Sequence, residues 1–136
     1  MDVVALIGRI LFAVLFIGSG YAHVTQAETM GGYAASKGVP MAKVATLASG
    51  VLIIVGGLLV LLGIWLDLGA LLLVVFLLPT AFLMHAFWKE TDPQAKQLEM
   101  VNFNKAVGLG GAALLIFALY AGYGDAVGIT ITGPLF

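Results

Sequence analysis

This sequence predicts an all-α integral membrane protein, a four-helix bundle, and three observations predict it. Uncharged runs at Ile10–Ala27, Val44–Leu66, Leu68–Trp88 and Ala106–Gly124 each approach the length of a membrane crossing, since roughly 20 helical residues rise about 30 Å. Of the 136 residues, 62% are hydrophobic and 10% charged, with a mean hydropathy of +1.12, a balance that in water leaves a surface of exposed apolar side chains. The segments between the runs hold nearly all the charge and are too short to bury a second core. The expected organisation is one transmembrane domain over 1–136, with spans at about 4–26, 41–66, 68–88 and 102–123 and a tail at 124–136.

Net charge is −1, and without a basic cluster there is no electrostatic footprint for nucleic acid or anionic lipid. The absence of cysteine removes disulfide exchange, thiolate nucleophiles, iron–sulfur ligation and cysteine-containing zinc sites. Redox work would need a bound cofactor or a partner. The first run is expected to stay in the protein: Asp2 and a lone Arg9 make a poor signal-peptide start, and Thr25-Gln26-Ala27 is a weak cleavage site.

The first helix is expected from near Val3 to near Gln26, with Arg9, Phe12, Phe16, Gly20 and His23 on one inward stripe. Glu28–Lys43 reads as a short interfacial helical turn stopped at Gly38, with Pro40 in the first turn of the second span. Ser49, Gly56 and Gly63, with Gly57 beside them, give that span a small-residue face suited to close packing. Asp67-Leu68-Gly69 is expected to turn the chain into the third span, making the two antiparallel neighbours. Pro79 should kink the third span, which closes on Met84-His85-Ala86-Phe87-Trp88. Asp92-Pro93 reads as an N-cap with proline at the first helical position, so the last helix can begin outside the membrane and run to Tyr123. On it Gly108, Gly111, Ala112, Ala118 and Gly122 form a second expected packing stripe. The tail, with Ile129-Thr130-Ile131-Thr132, reads as extended.

Trp65, Trp88, Tyr21 and Tyr123 fall at helix ends, as interfacial aromatics do. An even number of spans puts both termini and the Asp67 turn on one side. The other side carries Lys37, Lys43, Lys89, Lys96 and Lys105 against Arg9, so loops 27–43 and 89–101 are expected in the cytoplasm and the termini outside.

Few residues can carry chemistry. Arg9 lies inside a span, where a charge is either an interior polar group or a snorkelling anchor paired with Asp2, Asp67 or Asp125. His23 and His85 end their helices on one side, near Asn102, Asn104, Lys105, Trp88 and Tyr33. A quinone head group needs polar partners at the interface and an apolar crevice for its tail, and histidine can exchange the accompanying proton. Two histidines can instead ligate a haem, or a metal with Glu28 or Glu99, although no spacing motif supports this and no metal is expected.

These residues resemble the DoxX family of small four-span bacterial membrane proteins over about Gly8–Leu115. The matching pieces are Gly8-Arg9, Ser19-Gly20 and His23; Gly32-Tyr33-Ala34-Ala35-Ser36-Lys37-Gly38-Val39-Pro40; the glycines of the second span; Met84-His85-Ala86-Phe87-Trp88-Lys89 with Asp92-Pro93; and Met100-Val101-Asn102-Phe103 with Lys105. Relatives commonly carry Lys-Asn at the start of the last helix, whereas here Asn104 precedes Lys105 and Ala106 follows, which turns the amide by about 200°. The resemblance implies a bacterial inner-membrane location. It also implies a link to quinones, because the family is named from relatives of a thiosulfate:quinone oxidoreductase subunit. Other members look tied to quinone stress or oxidant defence with soluble redox partners.

The leading expectation is therefore a quinone-linked membrane subunit of an oxidoreductase or detoxification system. Its candidate binding residues are Arg9, His23, Tyr33, His85, Trp88, Asn102 and Lys105. A noncatalytic scaffold that recruits a soluble partner through the lysine-bearing loops is the alternative, and a haem-binding or small-solute transport protein a lesser one. The sequence leaves catalytic residues, substrate and oligomeric state open.

Overall fold

The computed structural model describes residues 1–124 and 128–136. Its helices are α1 (Asp2–Thr25), α2 (Ala27–Ser36), α3 (Ala42–Leu62), α4 (Leu66–Met84) and α5 (Pro93–Tyr123), with a 3₁₀ turn at Phe87–Lys89. α1, α3, α4 followed by that turn, and α5 are long and apolar enough to cross a membrane. Leu11, Val14, Val51, Val55, Val75 and Leu115 are exposed on their outer faces, a surface that lipid satisfies and water does not. The protein is an all-α membrane bundle.

Packing runs in the order α1, α3, α4, α5, with α2 folded mainly onto α3. α3 is central because glycines free both of its flanks. A Cβ at Gly50 would lie 3.1 Å from the Gly20 carbonyl oxygen of α1, and one at Gly56 would lie 3.1 Å from the Gly69 oxygen of α4. Where lipid is as apolar as the protein, such close backbone approach is the main source of helix association. Phe16, Ile53, Leu73, Leu77 and Ala113 fill the core between the helices.

Several local expectations are corrected. The chain reverses at Gly63–Trp65 rather than at Asp67-Leu68-Gly69: Gly63 adopts φ +66° and ends α3 with its N–H on the Leu59 carbonyl. Asp67 instead lies in the first turn of α4, where the helix dipole favours an acid. The interfacial turn is a ten-residue helix, α2. Pro40 precedes the next helix by two residues, because Met41 takes a left-handed φ of +47° before α3 begins. On α5 the packing face is Ala106, Gly110, Ala113 and Tyr120; Gly108, Gly111, Ala118 and Gly122 are exposed. Asp92 accepts the Ala95 N–H at 2.8 Å with Pro93 opening α5, as their sequence indicates. Pro79 lies inside α4, which continues through it.

Arg9 gathers one end of the bundle. Its Nε and Nη2 donate to the carbonyls of Val60 (3.0 Å) and Leu61 (2.9 Å), in the last turn of α3, and Nη1 donates to that of Ile129. The C-terminal strand of chain crosses this end: Ile131 and Thr132 donate to the Gly63 carbonyl at 2.9 and 3.1 Å, and Tyr120 donates to the Thr132 carbonyl. Leu135 and Phe136 donate to Asp67 Oδ2 at 2.7 and 2.8 Å. The termini thus share this end with the α3–α4 turn, while α2 and the start of α5 lie at the other.

Candidate functional site

The helix row curls, and all four long helices line one cavity of about 740 Å³, with α2 across one end. α1 and α5 are not among the helix pairs that pack extensively, so the cavity lies between facing helices rather than inside a closed core. Its walls include Phe16, Phe76, Leu77, Leu83 and Leu109. The polar groups gather toward α2.

His23 reaches its position through the α1–α3 glycine contact. A Cβ at Gly50 would stand 2.8 Å from the His23 Cβ, so only glycine lets the ring come close enough for Nδ1 to lie 2.9 Å from Ser49 Oγ. Ser49 donates its own proton to the Thr46 carbonyl at 2.9 Å, and Phe76 meets the imidazole edge-on at 5.7 Å. Ser49, expected as a packing residue, is therefore a polar partner of the site.

His85 follows the last residue of α4 and turns toward α5, where Nδ1 lies 2.8 Å from Glu99 Oε2. Glu99 is only 6% exposed. Its other oxygen accepts Tyr33 Oη at 2.6 Å and Lys37 Nζ at 3.1 Å, while Lys37 also meets Glu90 at 2.7 Å. This network fastens α2 to the start of α5. The Glu90 hydrogen bond pushes the Lys37 pKa up against the opposing effect of burial; burial, reinforced by Glu99, raises that of the Tyr33 phenol. Both groups thus stay protonated through the neutral range.

Five of the seven residues expected at a binding site line this cavity: His23, Tyr33, His85, Asn102 and Lys105. Two are elsewhere. Arg9 is spent on backbone carbonyls at the opposite end, and its expected acidic partners do not bind it: Asp67 holds the tail amides, and no ion pair to Asp2 forms among the described residues. Asp125 lies outside the described residues. Trp88 meets Phe82 at a tilt and Phe87 and Phe103 edge-on, at centroid distances of 5.2–6.3 Å, and is not part of the cavity wall. Asn104 is exposed and does not line it either, whereas Asn102 does.

Sequence reasoning placed Glu99 only as a possible metal ligand and missed its central role. The signal was present: Glu99, Asn102 and Ala106 fall at helical spacing once the helix is started at Pro93. Glu28 is exposed and pairs with Lys43, away from the histidines. Among the described residues, no three His, Asp or Glu side chains gather as a metal-holding group. The arrangement can bind an amphipathic molecule: an apolar body along the walls, and a polar head that meets two imidazoles, an amide and an ammonium.

A family model described as DoxX matches residues 4–86. The protein called inner membrane protein YphA, from Escherichia coli (strain K12), is 32% identical over 114 residues, covering 84% of this chain and 81% of that protein. No solved structure matches the chain.

Proposed function

We propose that this protein, which belongs to the DoxX family, is an inner-membrane protein that binds a quinone-like redox molecule and serves as the membrane subunit of a quinone-linked oxidoreductase or detoxification system. The observation that carries this reading is the cavity of about 740 Å³, apolar along its walls with His23 and His85 at its polar end. Lys105 and Asn102 supply donors for ring oxygens, and imidazole exchanges protons near neutral pH. A soluble redox partner would handle the electrons, because the chain has no thiol of its own. The test is gentle purification from native membranes, mass spectrometry of the organic extract and an absorption spectrum, with His23→Ala/His85→Ala alongside. Stoichiometric quinone that is lost from the double variant is expected. An empty wild-type protein overturns the reading, and a Soret band replaces it with haem ligation.

The scaffold alternative has less support, since Lys37 and Lys43 already pair with Glu90, Glu99 and Glu28 within the chain. The orientation proposed from the lysine bias puts the α2 end in the cytoplasm. A cysteine-free chain makes this simple to test. Thr91→Cys should be shielded from a membrane-impermeant maleimide in spheroplasts and Ile131→Cys labelled; the opposite pattern inverts the topology.

A further inference from the structure

The hydrogen bonds around the two histidines determine which ring nitrogen is left for a ligand. Ser49 has one hydroxyl proton, and the Thr46 carbonyl, which can only accept, takes it at 2.9 Å. Where Ser49 makes that bond, its Oγ accepts at the 2.9 Å contact with His23 Nδ1, which assigns the ring proton to Nδ1. Glu99 receives an ammonium and a phenol on Oε1, the environment of a carboxylate. An ionised carboxylate only accepts, so the 2.8 Å contact puts the His85 proton on Nδ1 as well. In the neutral form of either ring, Nε2 is then a bare lone pair.

We infer that the cavity selects the hydroxyl-bearing, reduced form of its ligand, a hydroquinone or related phenol, over the quinone, because both imidazoles facing it offer an acceptor. The inference rests on reading the cavity as a quinone-type site and adds the redox state that it prefers. A phenolic hydroxyl donates to Nε2 and still accepts from Lys105 or Asn102, both of which line the same cavity. A quinone carbonyl can use those donors but leaves both Nε2 atoms unpaired, and an unpaired acceptor in an apolar site is penalised. Glu99→Gln provides a specific reversal. Tyr33 and Lys37 would keep the amide oxygen on their side, turning its NH₂ toward His85 Nδ1. That would drive the ring proton to Nε2 and present the ligand with a donor.

The test uses the full chain in lipid nanodiscs at about pH 8, above the ordinary histidine range. Nitrogen-15 NMR of the rings should show Nδ1 protonated and Nε2 bare in both histidines. Anaerobic calorimetry should show a short-tailed benzohydroquinone binding about tenfold or more tightly than the matching benzoquinone, with the ratio falling below about threefold in Glu99→Gln. Ser49→Ala, which frees the His23 proton, should lower the ratio in the same direction if Glu99→Gln does not fold. Equal or tighter quinone binding by the wild type, or protonated Nε2 atoms, overturns the inference and leaves the quinone site standing. Binding of neither form overturns both.

Discussion

The two ends of this bundle bury polar groups for different purposes, and their partners reveal which is which. At the Arg9 end, a guanidinium 7% exposed and a carboxylate 0% exposed spend their hydrogen bonds largely on backbone: the carbonyls of Val60, Leu61 and Ile129, and the amides of Leu135 and Phe136. These bonds satisfy the last open carbonyls of α3 and tie down the tail, the work of a clasp. At the His23 end, the polar groups are held by other side chains, Ser49, Glu99, Tyr33 and Lys37, and they stand beside a cavity with valences to spare. A buried charge in a membrane span is a functional candidate by default, yet here Arg9, buried within the first span, is structural.

The sharpest way to break this contrast is Arg9→Ala. It leaves the carbonyls of Val60 and Leu61 without their donors, and at about 1.5–3 kcal/mol for each charge-assisted bond, a loss of about 3 kcal/mol is expected. Detergent unfolding would measure it, while quinone retention in the protein that remains folded should be unchanged. If retention falls with the histidine sites intact, the two ends are not separate.

Asp67→Ala should act more weakly, by about 2 kcal/mol, since it removes one acceptor from two backbone amides. Its signature is local: faster proteolysis within 128–136 with the rest of the bundle protected. The smallest effect is expected from Lys37→Met, about 1 kcal/mol or less for a partly exposed bridge. Its pH dependence has a definite sign. Because the partner contacts raise the Lys37 pKa above its ordinary 10.5, its contribution is fully present below that value and is lost only as pH rises through the higher folded-state pKa. The difference in melting temperature between wild type and variant should therefore hold steady from neutral pH to about 10 and shrink beyond it. Shrinkage between pH 7 and 9 would contradict the assigned partners.

Local chemistry was legible in the sequence and relative rotation was not. Asp92-Pro93 starts α5 by contacts within four residues, so its outcome needs no tertiary knowledge. The stripe Gly108, Gly111, Ala118 and Gly122 had the spacing of a packing face, yet it looks outward while Gly110 and Ala113 look in. Both faces of α5 are apolar because one meets protein and the other lipid, so periodicity alone does not orient the helix. The same ambiguity hid Glu99, whose importance depends on which face of α5 turns toward His85. Gly63 was legible in kind but not in role: it was expected to pack, and its positive φ makes it the end of α3.

By itself the sequence determined that the chain is a four-span membrane protein, since length and apolarity must match the bilayer wherever the helices sit. It also determined the side of the bundle that each polar segment occupies, because an antiparallel succession of spans leaves no choice. Only the tertiary structure decided that Arg9 clasps backbone while His23 and His85 border a cavity. Those outcomes depend on α1 and α3 meeting glycine to glycine and on α4 ending where Glu99 waits on α5, geometry that no single helix carries in its own residues.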